Sequence, residues 1–150
     1  MIKPILNYNN EEDRKVLSSI SQPVEDIATE EIKQIIQDLK DTLAAAPAGK
    51  GLSAIQIGTP VCVCVCSWAN QTVVMINPVI TRSRGCQKYL EGCLSVPGKY
   101  EEIERAQKVW CTYTDENGVT KEIAEGGRMS NIIQHELDHF KGICKLYKES

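Results

Sequence analysis

The chain has 150 residues, of which 42% are hydrophobic and 25% charged, and its formal net charge is −3. This size predicts a single domain spanning residues 1–150 with a sizeable core. Because there is no basic run and aromatic residues make up only 5%, direct nucleic-acid binding is not expected. No apolar segment suited to a secretory signal occurs at the N-terminus, so we expect the mature protein to start here and to be cytoplasmic, with an organellar or phage origin left open.

The first predicted element is an amphipathic helix between residues 29 and 46. Thr29 can cap its first turn, and Glu30 and Glu31 suit the positive end of the helix dipole. The residues that recur at helical spacing are Ile32, Ile35, Ile36, Leu39 and Leu43. The Pro-Ala-Gly-Lys-Gly segment at 47–51 is expected to end the helix.

A stretch without charged residues extends from position 51 to position 81. Gly, Pro and polar residues divide it, so it predicts buried strands at 61–66 and 72–76 rather than a membrane span, and no membrane association is expected. Cys62, Cys64 and Cys66 alternate with valines and should share one face of the first strand. A soft-metal or redox site is one interpretation, but we favour small buried hydrophobic residues, because parallel thiols do not converge on one ion.

A hairpin and a second helix follow. Residues 108–114 and 119–123 are predicted strands on either side of the turn sequence Asp-Glu-Asn-Gly at 115–118. After Gly126 and Gly127 the hydrophobic period becomes helical, and Gly142 is expected to stop the helix. The only two histidines of the chain, His135 and His139, lie in this helix within one His-Glu-Leu-Asp-His motif.

This HExxH motif is typical of a helical metal site. Residues four apart stand on the same face of an α-helix, so His135 and His139 can bind one cation while Glu136 reaches its bound water. The same pattern also arises in surface helices that bind no metal. A catalytic metal usually has three protein ligands and one open position, so the third ligand decides between the two interpretations.

Two regions of the chain offer that third ligand. Only eleven residues follow His139, and their candidate donors are Cys144 and Glu149. Upstream, the segment Glu-Gly-Cys-Leu-Ser-Val-Pro at 91–97 presents Cys93, and its Gly, Ser and Pro residues predict an irregular turn. We favour Cys93, because the short tail leaves no room for a carboxylate on a further helix.

Three segments taken together resemble the peptide deformylase family. They are Gly-Lys-Gly-Leu-Ser-Ala-Ile-Gln-Ile-Gly at 49–58, Glu-Gly-Cys-Leu-Ser-Val-Pro at 91–97 and Gln-His-Glu-Leu-Asp-His at 134–139. Their order and spacing agree with the family, and weaker similarity extends over nearly the whole chain. The resemblance implies an α+β fold in which antiparallel β-sheets pack around a central helix that bears the HExxH motif.

The resemblance also implies a hydrolytic site with one divalent metal ion. Cys93, His135 and His139 would bind it, with Fe(II) favoured and Zn(II) or Ni(II) able to take its place. Glu136 would act as general base and then general acid for the metal-bound water that attacks a formyl carbonyl. The implied activity is a metal-dependent hydrolase that releases formate from the N-terminal formylmethionine of nascent polypeptides, near the ribosome exit.

Further roles follow from the same resemblance. The Gln56 side chain and the Leu94 backbone N–H would stabilise the oxyanion formed in that attack. Glu91 and Arg105 would pair to brace the Cys93 loop. The peptide would lie as an extended strand in a groove. The residues expected to line this groove are Gly49, Lys50, Gly51, Gly92, Arg128 and Asn131.

Several positions depart from the family pattern. Lys50 stands where an aliphatic residue is usual, and Arg128 and Asn131 lie on a helix that usually supplies apolar pocket walls, so a more polar pocket is expected. Ser53 replaces the commoner alanine, a change that should be tolerated. Ser150 comes earlier than the last residue of many bacterial members, which implies a C-terminally shortened form.

Two other functions stay open. A zinc peptidase would cleave internal amide bonds and would be indifferent to the loss of Cys93, although the short tail disfavours it. A deformylase-like protein could bind metal and peptides with weak or altered catalysis, which the polar residues Lys50, Arg128 and Asn131 suggest. Neither the native metal, nor the oligomeric state, nor the preference for residues after formylmethionine follows from the sequence.

Overall fold

The computed structural model describes residues 1–148, which form three α-helices, seven β-strands and one 3₁₀ helix. The helices are α1 (Glu11–Leu17), α2 (Glu30–Ala44) and α3 (Gly127–Phe140), and the 3₁₀ helix is Ala54–Ile57. The strands are β1 (Gly51–Ser53), β2 (Val63–Trp68), β3 (Gln71–Arg84), β4 (Gln87–Cys93), β5 (Val96–Arg105), β6 (Lys108–Thr114) and β7 (Thr120–Gly126). Within residues 1–148, no helix has both the length and the apolar character needed to cross a membrane.

The strands form two antiparallel sheets. The larger sheet has the order β1-β2-β3-β6-β7, and the smaller one is the β4-β5 hairpin. Helix α3 packs against β1, β2 and β7, with a further contact to β5, while α2 packs against β1 and β2. The helix with the HExxH motif therefore lies between the two sheets. This arrangement confirms the predicted α+β fold with antiparallel sheets packed around that helix.

Strand β2 explains the long uncharged stretch of the sequence. Val63 and Val65 belong to the core cluster that includes α2, whereas Cys64 and Cys66 belong to the cluster that includes α3. Both faces of this strand are buried, and an unpaired charge on either face would lose its hydration. Cys62 packs at the edge of the α3 cluster, so the expected placement of the three thiols on one face is confirmed.

Helix α2 and the β6-β7 hairpin form where the sequence predicted them. The Thr29 hydroxyl accepts a hydrogen bond from the Ile32 backbone N–H at 3.3 Å, so Thr29 is the N-cap of α2. The turn between β6 and β7 is held by Asp115, whose carboxylate accepts the backbone N–H groups of Asn117 and Val119, each at 2.9 Å. In both cases a short polar side chain replaces missing backbone partners.

The segment around Cys93 agrees with the expectation in part. It lies at the end of the β4-β5 hairpin, in which Cys93 is the last residue of β4 and residues 94–95 form the turn. The pairing shifts from Gly92–Tyr100 to Cys93–Val96, so the backbone is irregular where the sequence predicted it. The inward face of this hairpin carries two charged residues, Glu91 and Arg105, beside Tyr89 and Ile103. Charged residues at inward positions hide the alternation by which a strand is recognised, and the two strands that flank the turn were not predicted.

Gly142 follows α3 and brings the chain against the end of α1. Its φ is +73°, and an added Cβ would lie 2.4 Å from the Ser18 carbonyl oxygen. We expect Gly142→Ala to cost about 1–2 kcal/mol for the left-handed backbone, and a further cost of about 1–3 kcal/mol for the forced shift of packed atoms. Gly58→Ala is the matched control, because φ is +95° there and no atom lies within 4 Å of the added Cβ. Urea unfolding measures both losses, and equal losses would contradict the role of the Ser18 contact.

Candidate active site

Helix α3 and the end of β4 bring three metal-binding atoms together. The Nε2 atoms of His135 and His139 are 3.2 Å apart, and the Cys93 Sγ lies 3.5 Å from the His139 Nε2. Metal bonds of about 2.0–2.3 Å in a tetrahedral arrangement separate the ligand atoms by roughly 3.3–3.6 Å. These two separations fit one metal ion, and the atoms belong to the three residues that the resemblance implied as its ligands.

Cys144 is a fourth donor in the same cluster. Its Sγ and the donor atoms of Cys93, His135 and His139 all lie within 4.8 Å of one another. The proximity of the Cys144 thiol, together with burial, raises the pKa of Cys93 well above its usual range. The proximity of the Cys93 thiol in turn lowers the pKa of Cys144 to about 6. Glu149, the other downstream candidate, lies outside the described residues.

The surroundings of the two histidines orient the ring of His135 and keep the ring of His139 neutral. The Glu91 carboxylate lies 2.8 Å from the His135 Nδ1, which leaves the Nε2 atom of that ring facing the other donors. Burial opposes a charge on His135, but the hydrogen bond to Glu91 prevails and its pKa is raised. Burial lowers the pKa of His139 well below its usual range, so this ring is neutral, the form that binds metals.

Glu91 is the centre of a buried network behind the metal-binding atoms. Arg105 donates to its two oxygens through Nε at 2.8 Å and Nη2 at 2.9 Å, and to Asp138 through Nη1 at 2.6 Å. The Asn131 amide also donates to Glu91. Burial opposes the charge of Glu91, but the hydrogen bonds from Arg105 and His135 lower its pKa to about 2. The expected Glu91–Arg105 pair is present, with side chains only 4% and 2% exposed.

This network also explains the polar residue at position 131. Asn131 is almost fully buried, and its amide is turned toward Glu91 while Arg128 donates to its Oδ1 at 3.2 Å. Its side chain therefore braces the Glu91 carboxylate as well as lining the cavity described below. No sequence pattern predicts this contact, because positions 91 and 131 belong to different elements.

Glu136 lies beside the donor cluster and is 3% exposed. Burial raises its pKa to about 7, although His135 and the Ser53 hydroxyl oppose the rise. Ser53 donates to the Glu136 Oε1 at 3.0 Å. A Cβ at position 51 would lie 2.5 Å from the Glu136 Oε2, so only glycine leaves room for this carboxylate. The contact between Ser53 and Glu136 was not predicted from the sequence. Its only indication was that position 53 carries serine where alanine is commoner.

Gln56 approaches the cluster from the 3₁₀ helix. Its Oε1 accepts the Ser53 backbone N–H at 2.9 Å, and its Nε2 donates to the Ser95 hydroxyl at 3.0 Å and lies 3.7 Å from the Cys93 Sγ. These contacts turn the N–H₂ group toward the metal-binding atoms. Leu94, in the turn after β4, lies at the same side of the site.

A cavity of about 480 Å³ opens above these side chains. All six predicted groove residues line it, together with Gln56, Cys93, Leu94, His135 and Glu136, whereas His139 is fully buried beneath them. The Lys50 ammonium lies 5.6 Å from the Trp68 ring centre, and Arg128 donates to the Leu90 carbonyl at 2.9 Å. Trp68 and Tyr100 also line the cavity, and nothing in the sequence identified them.

Known proteins resemble the chain over nearly its full length. The family model described as polypeptide deformylase matches residues 2–148. A peptide deformylase of Pelagibacter ubique is 40% identical over 148 residues, which cover 95% of this chain and 83% of that relative. The crystal structure of a peptide deformylase from Legionella pneumophila has a TM-score of 0.89 at 35% identity, covering 99% of this chain and 87% of the other. For the Thermotoga maritima enzyme the TM-score is 0.88 at 29% identity, with 96% and 95% covered. Fold, site and sequence agree, and the chain belongs to the polypeptide deformylase family.

Proposed function

We propose that Cys93, His135, His139 and Glu136 form the catalytic centre with which this chain carries out the deformylase reaction. The substrate is a nascent peptide that begins with N-formylmethionine, and the products are formate and a free amino terminus. The observation that carries the proposal is the convergence of three donors beside a buried carboxyl group: the two imidazole Nε2 atoms are 3.2 Å apart, and the thiol sulfur is 3.5 Å from one of them. Cys93, His135 and His139 would hold one divalent ion, Fe(II) by preference or Zn(II) or Ni(II), which would supply Lewis acidity toward water and the formyl carbonyl.

Glu136 moves the proton in this reaction. Its carboxylate accepts a proton from the attacking water and passes it to the amine nitrogen as the C–N bond of the formamide breaks. A group that both accepts and donates a proton works best with a pKa near the working pH, and burial raises that of Glu136 to about 7. The Ser53 hydroxyl holds one carboxylate oxygen, so the other oxygen faces the cavity side of position 51.

Gln56 and the Leu94 backbone N–H donate to the oxyanion. We expect Gln56→Met, which keeps the length of the side chain but has no N–H₂ group, to reduce kcat by about 10²–10³-fold. Ser95→Ala is the control, because it removes a partner of the Gln56 amide but leaves the amide itself. Formate release from a formyl-Met peptide measures both variants, with zinc content checked in each. A loss for Gln56→Met no larger than that for Ser95→Ala would contradict the assigned role.

The peptide lies between two strand edges. β1 is an edge strand of the larger sheet, β4 belongs to the separate hairpin, and the cavity is lined by residues from both. An extended peptide can pair with such edges through its backbone. Gly49, Lys50, Gly51 and Gly92 supply the two edges, while Arg128 and Asn131 form the wall contributed by α3.

The function is tested with the metal-loaded protein and two peptides that differ only in the formyl group. We expect formate from the formyl-Met peptide and no cleavage of internal amide bonds in either peptide. Internal cleavage would support a zinc peptidase instead. Tight binding of the formyl peptide without formate release would support a peptide-binding protein with altered catalysis.

We also infer that residues 1–150 act as one catalytic domain. Nascent chains carry N-formylmethionine only where translation starts with that residue. We therefore expect the protein in the cytoplasm of a bacterium or a phage-infected cell, or in an organelle. There it would meet nascent chains near the ribosome exit. Pull-down of the protein with ribosomes that carry stalled formylated chains tests this placement.

A further inference from the structure

Cys144 belongs to the donor cluster but packs in the core instead of lining the cavity. Its neighbours in the core include Tyr8, Leu17 and Leu146, and it does not line the cavity within the described part of the chain. Cys93 and His135, in contrast, face the cavity. Two donors of the cluster, Cys93 and His135, are therefore within reach of a substrate, and the other two, His139 and Cys144, are buried away from the cavity.

We propose that Cys144 is a fourth protein ligand of the metal, which binds from the core side and leaves the cavity side open for water and substrate. The donor set is then two thiolates and two imidazoles. The inference rests on the proposed metal site, but it does not depend on the proposed catalytic step.

The distances support this assignment. All four donor atoms lie within 4.8 Å of one another, and two sulfurs bound at about 2.3 Å in a tetrahedral arrangement would be roughly 3.8 Å apart. A movement of less than about 1 Å would therefore bring the Cys144 sulfur to bonding distance from a metal ion held by the other three donors. Zinc sites that are catalytic can expand from four to five ligands, so a fourth protein ligand does not exclude substrate.

The surroundings of the Cys144 sulfur favour a ligand over a space-filling thiol. A thiol that only fills space needs no polar partners. This sulfur belongs to a residue that is only 8% exposed, and it lies within 4.8 Å of the Cys93 Sγ and of the donor atoms of both histidines. Thiolates and imidazoles are the ligands that zinc prefers.

A second thiolate changes which metals the site prefers. Soft thiolate ligands favour zinc, and a second one raises zinc affinity more than it raises affinity for harder ions. We expect Cys144→Ala to weaken zinc binding by at least about 10-fold. Removing a residue that only hydrogen-bonds to a metal ligand already weakens metal binding about 10-fold, and Cys144 would bind the metal directly. In the Co(II)-loaded protein the sulfur-to-metal charge-transfer absorbance of this variant should be about half that of the wild type. Cys111→Ala is the matched control, because Cys111 is a fully buried thiol outside the cluster.

X-ray absorption of the zinc-loaded wild type tests the same point without any variant. Two sulfur neighbours at about 2.3 Å are expected, and one sulfur neighbour would overturn the inference. A Cys144→Ala protein with unchanged charge-transfer absorbance and unchanged zinc affinity would also overturn it. Formate release is measured separately. Two sulfur neighbours without deformylation would contradict only the proposed function. One sulfur neighbour with deformylation would contradict only the assignment of Cys144 as a ligand.

Discussion

Replacing Glu136 by Gln should reduce kcat for deformylation by about 10²–10⁴-fold, the range expected when a general base and acid is lost. The amide has nearly the shape of the carboxylate and can still accept the hydrogen bond from Ser53. It cannot take a proton from water at neutral pH, so the defect should lie in kcat and not in the binding of peptide or metal. Formate release under saturating formyl-Met peptide gives kcat, and metal analysis gives the occupancy.

The matched control for this variant is Glu122→Gln on the exposed side of β7. It makes the same chemical change far from the cavity and should leave kcat unchanged. A Glu136→Gln protein with full metal occupancy and a kcat within tenfold of the wild type would show that another group moves the proton.

Arg105→Met should lower the free energy of unfolding by about 3–5 kcal/mol, because it leaves the buried Glu91 carboxylate without its cation. Arg105 and Glu91 are almost fully buried, and the guanidinium also binds Asp138 on α3. In the wild type, the contacts that this substitution removes hold β4, β5 and α3 together behind the metal-binding atoms. Urea unfolding of the metal-free protein separates this loss from any change in metal affinity.

Two controls define the cause of that loss. The double variant Glu91→Gln, Arg105→Met removes both of the almost fully buried charges and should recover part of the stability. Asp138 also loses its partner, but its side chain is 19% exposed and keeps contact with water. Lys33→Met breaks an exposed pair with Glu30 and should change the stability by at most about 1 kcal/mol. Equal losses in Arg105→Met and Lys33→Met would contradict the importance of burial.

The elements that the sequence predicted correctly are those whose pattern is local. Helices α2 and α3 have apolar residues at a helical period, and the β6-β7 hairpin has strand residues on both sides of an Asp-Glu-Asn-Gly turn. Strand β3 continues to Arg84, well beyond the predicted end at 76, because its second half pairs with β6 while its side chains are largely exposed. Helix α1, seven residues long, was not predicted.

The sequence by itself determined the chemistry that α3 carries. His135 and His139 share a helix face because helical geometry is local, and three motifs in the expected order pointed to the family and to Cys93. The contacts that complete the site join segments far apart in the chain: Ser53 with Glu136, Asn131 with Glu91, and Cys144 with Cys93. Only the tertiary structure decided these contacts, because the packing of α3 between the two sheets sets which distant side chains meet. No period or spacing in the sequence encodes that packing.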